Sequence, residues 1–459
     1  MTSADDCAQR KQASGWQAGV ARLDITPPLH TWLAGFASRT RGAEGIHDPL
    51  NATALALATA NSQAIIISCE LLSLDAEDAQ RMRKLIAEQT GVPEAQILIH
   101  TTHTHSGPLA CYRRGYGPRD QDYGLLLERQ IISAAVLATQ RMQPVRLSYG
   151  AADAPIGVNR RASDGQVDSG ATVLGIWPAT PDAVSPIALI LSASVHPVMF
   201  GGSNYLIGRD FPGFAIDYLE RIFPGSICLY LTGTCGDVNP IGMRSGDPFG
   251  YARRHGGVLA GAAMQALFSG RPIESASLVG VSHEAMLALQ PLPPIHAIRR
   301  EIERLEHQFQ EHPDGDLLAS RSGPLAWAKE ALAAHQGVPG AARPREAFSA
   351  ELQCLVLGDF AITALPFEPF TAYGAIAAQS APGNASLVVG YANGNHGYLP
   401  TAEAFTQSGY EVNTAYRYRA LQGLAPQAPA TVVQAMEELH AMTGALLSKT
   451  QASSPAALE

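Results

Sequence analysis

The chain has 459 residues, 46% hydrophobic and 16% charged, with 32 basic against 41 acidic side chains and a formal net charge of −9. A charged fraction below the roughly 25% of average proteins implies a large buried interior or an oligomer interface, so a homo-oligomer is one expectation. An acidic balance with no long basic run argues against nucleic acid as a partner. No apolar run approaches the roughly 18 residues of a membrane span, and residues 1–11 lack the apolar core of a secretory signal, so a cytoplasmic location is expected. The six cysteines are scattered, with no C-x-x-C, and read as reduced and buried.

In chain order, residues 64–68 read as a strand and 76–88 as an amphipathic helix closed by Gly91. Residues 97–99 are the next strand, so this β-α-β unit feeds directly into His103. Further strands follow at 187–194 and 226–231, the second ending in a small-residue loop at 232–237. Residues 251–268 read as a helix whose Gly256, Gly257 and Gly261 mark close helix packing. At 297–309, Ile298, Ile302, Leu305 and Phe309 recur at helical spacing with charge on the other faces. With a second helix over 324–335 and a polar turn at 313–316, this predicts a helical hairpin inserted at about 297–337, read as a solvated surface excursion rather than a lid or dimer arm. Residues 360–365 and 386–390 are two more strands, and 429–447 a closing helix. Alternating strands and helices predict an α/β fold, a layered mixed sheet with flanking helices. The residues that carry chemistry are spread from His103 to Tyr410, so one domain over 16–448 must gather them, with flexible termini at 1–15 and 449–459.

The most informative stretch is His103-Thr104-His105-Ser106-Gly107-Pro108. Two imidazoles two residues apart on an extended chain point to one side, and Gly107-Pro108 ends the strand. Such a pair suits a divalent metal, or ordinary packed histidines. Three other side chains follow apolar strands at Pro- or Gly-marked breaks: His196 before Pro197, Glu368 before Pro369, and Tyr398 after Gly397. Singly, each has a plainer role, His196 as a core histidine, Glu368 as a helix cap and Tyr398 as a packed aromatic. Cys235 beside Gly236-Asp237 reads as a buried thiol rather than a nucleophile, because no base adjoins it in sequence.

Together these segments resemble the catalytic domain of the neutral ceramidases, which are zinc amidases. The matching pieces are 102–108, Val158-Asn159-Arg160, Val195-His196-Pro197, Gly236-Asp237-Val238, 366–371, and 398–401 followed by Gly409-Tyr410-Glu411, in order over nearly the whole chain. The resemblance implies Zn2+ held by His103, His196, Glu368 and Tyr398. It implies that His105 and Tyr410 face the substrate carbonyl, and that Arg160 lies at the substrate. Asp237 reads either as a residue that orients a ligand or as a turn residue.

The sequence departs from ceramidases at Asn239, where their pattern has a serine in the active site. Ceramidases also carry a C-terminal β-sandwich, which needs roughly 100 residues; only 49 residues follow Tyr410 here. A stand-alone relative is therefore expected, a zinc-dependent amidohydrolase that cleaves a small or medium N-acyl amide with a metal-activated water, and not a true ceramidase. Asn239 is expected to position substrate. Lactone or ester hydrolysis, amide formation, and zinc binding without catalysis are the alternatives.

Overall fold

The computed structural model describes residues 15–180, 182–243, 246–311 and 316–452. Its largest element is a nine-stranded sheet. From edge to edge the strands are Ile227–Thr232, Ala188–Ala193, Gly170–Pro178, Gln143–Asp153, Trp16–Asp24, Asn51–Ala58, Gln63–Cys69 and Ile97–Thr101, with Arg271–Pro272 also pairing Gln143–Asp153. The two outermost pairs are parallel and the inner ladders antiparallel, so the sheet is mixed, as the alternation of elements predicted.

Side chains alternate faces along each strand, and the burial pattern shows where each face goes. Ile65, Ile67, Ile97 and Ile99 pack against helices Ala76–Thr90 and Gln121–Gln140 through Met82, Ile86, Leu127 and Ile131. Val173, Leu189, Leu191 and Tyr230 pack against helices Asp210–Ile222 and Pro248–Phe268 through Phe211, Ile216 and Leu259. The opposite faces of both halves, Leu55, Ile66 and Leu98 from one and Leu174, Ile190 and Leu229 from the other, share a single inner core. The sheet is thus folded over on itself with helices outside. Ser68 Oγ crosses the fold to donate to Tyr230 O, at 2.6 Å.

A second sheet, Leu278–Ala288, Ala347–Leu357, Phe360–Ala364 and Ala385–Val389, closes the inner core. Leu355, Leu357, Phe360 and Ile362 face that core, while Cys354, Val356 and Ala361 face the helix Ala428–Ala452 through Val432, Met436 and Leu439. This helix begins one residue before its expected start and continues through Ala452, so residues 449–452 are helical rather than a loose tail. The expectation for 1–14 and 453–459 lies outside the described residues. Gly91 caps the helix Ala76–Thr90 at φ 75°, the left-handed conformation that glycine adopts without a Cβ clash. In Pro248–Phe268, Asp247 caps the N-terminus and Pro248 opens the first turn, which places the start before Tyr251. The five described cysteines are buried and free. Among the described residues no helix is long and apolar enough to cross a membrane.

The predicted hairpin is present as Ile295–Glu311 and Asp316–His335; its turn lies outside the described residues. It is more than a solvated excursion. Ile298, Trp327, Ala328 and Ala331 are buried, Trp327 Nε1 donates to Leu421 O (2.8 Å), and Arg114 pairs with Glu330 (2.7 Å). The hairpin therefore buttresses the 112–116 and 416–421 segments.

The helix Ala76–Thr90 is also joined to the second sheet by charge. Arg83 is 2% exposed and pairs with Glu351 at 2.6 Å. Burial pushes the Glu351 carboxyl up, but Arg83 outweighs it and holds the group below the ordinary carboxylate value. A carboxylate with a lowered folded-state pKa stabilises the fold above its unfolded pKa and loses that contribution as pH falls. Glu351→Ala leaves the Arg83 guanidinium buried without its carboxylate, at an expected cost of about 3–5 kcal/mol. Urea midpoints should show this at neutral pH, and the gap between wild type and variant should narrow as the pH falls below the carboxylate range.

Candidate metal centre

Turns at the C-terminal ends of the strands aim the candidate ligands. Strand Ile97–Thr101 stops at Thr101, and His103 adopts a left-handed conformation at φ 63° while its N–H donates to Leu71 O at 2.8 Å. The two histidines of the H-x-H therefore do not lie on one extended strand, as the sequence led us to expect; a turn brings them together. His103 Nδ1 donates to Leu72 O at 2.8 Å, and because a carbonyl only accepts, the Nε2 lone pair is left free. His196 repeats the arrangement: Nδ1 donates to Cys235 O at 2.6 Å, and Nε2 is buried with no hydrogen-bond partner.

Glu368 Oε2 lies 3.6 Å from His103 Nε2 and 3.7 Å from His196 Nε2. His105 Nε2 is 3.2 Å from His103 Nε2. The three histidines each bring a ring nitrogen within 4.8 Å of the others. Nitrogen and oxygen donors about 2.0–2.1 Å from one tetrahedral ion stand roughly 3.3–3.4 Å apart. The separations here, and the orphaned Nε2 of His196, fit a divalent ion.

Burial holds His103 neutral, down at about 3, and pushes His105 well below its ordinary value. For His196 burial also works against charge, but Cys235 and Glu368 outweigh it and raise the imidazole to about 9. Burial would raise Glu368, yet His103 and His196 keep it well below the carboxylate range.

Two glycines allow the close approach. Gly35 sits at φ 97°, and a Cβ there would lie 2.5 Å from His105 Cγ. A Cβ on Gly236 would lie 2.5 Å from Glu368 O. The segment after Glu368 is fixed by Asp237, whose Oδ1 accepts from Thr371 N (2.7 Å) and Thr371 Oγ1 (3.0 Å), and whose Oδ2 accepts from Asn159 Nδ2 (3.1 Å). Glu368–Pro369 pairs in parallel with Tyr398–Leu399 and so sets Tyr398 beside it. The Tyr398 ring lies 6.3 Å from that of His196, nearly parallel, and 6.0 Å from that of Tyr410, which is 50% exposed. Burial raises the Tyr398 hydroxyl, and Arg160 opposes the rise.

His103, His105, Glu368, Tyr398 and Tyr410 line one cavity of about 60 Å3. Three other candidates do not line it. The Arg160 guanidinium lies over the Tyr398 ring, 5.1 Å from its centre, and pairs with Glu411 at 2.8 Å. Asp237 has the anchoring contacts just given. Asn239 sits opposite Val158 in the short ribbon of Val238–Pro240 with Gly157–Asn159, on a face where Val158 is 43% exposed. Arg209 and Asp210, a polar pair beyond His196, serve the fold: Arg209 binds Asp217 (2.9 Å), and Asp210 accepts from Phe200 N (3.0 Å) and Phe211 N (2.7 Å).

Several residues around the site escaped the sequence reading. Tyr391 stacks on His103, with ring centres 4.1 Å apart, and contacts Cys235 Sγ through its hydroxyl at 3.1 Å. Arg113, Tyr116, Tyr418 and Arg419 complete the cavity wall. The density of arginine and tyrosine at 112–116 and 416–419 was a visible signal, but its chain distance from the strand ends hid its place. A wider groove of about 780 Å3 continues from the cavity past Gly397, Tyr398 and Arg419.

The folded-over sheet carries its ligand candidates at the strand ends, and comparison with known proteins shows what this arrangement is similar to. No family model matches the chain. It is 24% identical over 253 residues to the neutral ceramidase of Pseudomonas aeruginosa, a match covering 49% of this chain and 37% of that protein. It is 27% identical over 235 residues to neutral ceramidase B of Dictyostelium discoideum, covering 45% and 32%. The aligned part spans about a third of the length of these curated relatives. In structure, the neutral ceramidase from Pseudomonas aeruginosa superposes with a TM-score of 0.71 at 17% identity, over 95% of this chain and 75% of that one. A ceramidase complexed with C2 gives 0.73 at 17% identity, over 95% and 76%. The chain has the neutral ceramidase fold, and over about half its length its sequence is similar to neutral ceramidases.

The Asp237 contacts lead to an expected outcome. Asp237→Ala strands three donors, two on Thr371 and one on Asn159, and should cost about 1–3 kcal/mol of stability. Because this carboxylate fixes the segments that carry His196 and Glu368, metal affinity should also fall about 10–100-fold. Denaturant titration and competitive chelator titration would measure the two effects separately; an unchanged metal affinity would confine Asp237 to the fold.

Proposed function

We propose that the chain is a zinc-dependent amidohydrolase acting on an N-acyl compound, built as one catalytic unit over residues 16–448. The observation that carries this reading is the pair of Nε2 atoms of His103 and His196, each freed by a backbone carbonyl at Nδ1 and each facing Glu368 Oε2. His103, His196 and Glu368, with Tyr398 beside them, would hold the ion. Nitrogen and carboxylate donors without a thiolate suit zinc in a catalytic site. When bound, zinc supplies the activation of a water and the polarisation of a carbonyl. The likeness to ceramidases supports an amide as the bond cleaved.

The chain's own residues do the rest. His105 is neutral and has Nε2 beside His103 Nε2, so it accepts a proton at the reacting centre and returns it to the leaving nitrogen. Tyr410 donates its hydroxyl proton to the carbonyl oxygen from the open side of the cavity. Arg160 acts through Tyr398 and Glu411 rather than on the substrate. Asn239, in the short ribbon beside Val158, is assigned to positioning the substrate.

The purified protein should carry about one zinc per chain and lose activity with chelators. His103→Ala, His196→Ala and Glu368→Ala should each lose metal, because contacts one layer out rarely hold an ion alone. His105→Ala and Tyr410→Phe should retain it and lower kcat by roughly 10²–10³-fold. Elemental analysis beside turnover of N-acyl substrates checks both statements, and full occupancy in the first three variants would refute the ligand set.

A further inference from the structure

Within the wall of the small cavity, Glu368 is the only carboxylate, set against two guanidiniums, Arg113 and Arg419. Neighbouring arginines are paired: Arg114 with Glu330, Arg160 and Arg161 with Glu411, Arg209 with Asp217. Among the described residues Arg113 and Arg419 form no ion pair. Arg113 Nη1 donates to Tyr112 O (2.8 Å) and Nη2 to Ser73 Oγ (3.0 Å). Arg419 Nη1 donates to Asn395 Oδ1 (2.8 Å). Of the five N–H donors on each guanidinium, most are therefore uncommitted.

The two guanidiniums line the same small cavity. Burial, and next to it Arg113, hold Arg419 down at about 9, and Arg113 also acts on His103. Glu368 and Asp75 act on both guanidiniums and favour their charge, but among the described residues neither forms an ion pair with them, so the open N–H donors remain for an incoming anion. Nothing in a neutral lipid amide supplies that anion. The arginine fork matches a carboxylate in shape, with parallel N–H bonds to two oxygens.

We propose that Arg113 and Arg419 bind an anionic group of the substrate next to the scissile amide, and that the substrate class is N-acyl α-amino acids. The proposal rests on the amidohydrolase reading above. His103, Glu368, Tyr398 and both arginines line the same small cavity, so the anion must stand a few bonds from the reacting carbonyl. In an N-acyl amino acid one carbon separates the amide nitrogen from the carboxylate. The acyl chain then follows the wider groove, which shares Gly397, Tyr398 and Arg419 with the cavity and carries Phe348 and Phe405. In the reaction the water oxygen joins the acyl carbon and the C–N bond breaks. Both water protons end on the nitrogen, so the products are a carboxylate and an amino acid with its ammonium group. Arg113 and Arg419 are specificity residues that hold the amino-acid carboxylate through both states.

The test uses the zinc-loaded full chain with three probes: N-octanoylglycine, its neutral counterpart N-octanoylglycinamide, and N-octanoyl phosphoethanolamine. Charge-assisted hydrogen bonds of the usual strength predict a kcat/KM about 10²-fold higher for N-octanoylglycine than for the glycinamide. In Arg113→Met and Arg419→Met that ratio should each fall about tenfold, mainly through KM, with zinc content retained. Arg113→Lys and Arg419→Lys, which keep charge but lose the fork, should fall between; they guard against a methionine variant that does not fold. Equal turnover of the charged and neutral amides by wild type overturns the proposal and leaves the hydrolase reading standing. A preference for the phosphate probe overturns the carboxylate assignment. If no amide is cleaved, the hydrolase reading fails, and calorimetry with N-octanoylglycine still decides: binding lost in both arginine variants upholds the anion site, and no binding to wild type overturns it.

Discussion

Thr232 is where the two edges of the folded sheet meet. Its N–H donates to His100 Nε2 at 2.9 Å and its hydroxyl to Thr102 O at 2.7 Å. Burial keeps His100 neutral, down at about 3, so its lone pair remains an acceptor across the physiological range. The first edge leads straight to His103 and the second to the loop that carries Cys235 and Asp237. Without this junction the carbonyl of Leu72, which orients His103, and that of Cys235, which orients His196, would belong to opposite edges of an open sheet. With it, they aim two imidazoles at one point.

The second sheet contributes the negative charge. Strands Phe360–Ala364 and Ala385–Val389 run in parallel, and their C-terminal ends deliver Glu368 and the 391–398 loop to the same place. Asn393 ties that loop to the first sheet: its Oδ1 accepts from Ile99 N and its Nδ2 donates to Gln353 Oε1, each at 2.9 Å. Buried polar contacts of this sort fix register, because an unmade hydrogen bond in the interior is costly. The site is therefore rigid on its inner side. Its outer wall has Tyr410 half exposed and the 416–419 segment leaning on the inserted hairpin.

Much of the fold was legible in the chain. The β-α-β unit before His103, the strands ahead of His196, Glu368 and Tyr398, the hairpin and the closing helix all announce themselves by apolar periodicity, which local burial imposes on sequence. The ceramidase-like order of short motifs was legible too, and the fold agrees with it. The backbone of the H-x-H was not. Alternation along a strand predicted two imidazoles side by side, but the ladder ends at Thr101, and a bond from His103 N to Leu71 O forces a left-handed turn. That bond joins residues far apart in sequence, and no local pattern encodes it.

The sequence by itself determined which residue types stand at the strand ends, because metal ligation and chain reversal demand particular side chains and particular breaks. Only the tertiary structure decided which of them share a cavity. Arg160, Asp237 and Asn239 belong to matching motifs, yet they do not line the small cavity, while Arg113 and Arg419, in no motif, form part of its wall. The reason is physical. A motif is held by local turn chemistry, whereas a cavity wall is set by which distant segments the folded sheet and the hairpin press together. The charge of that wall is the sum of side chains that meet only after folding.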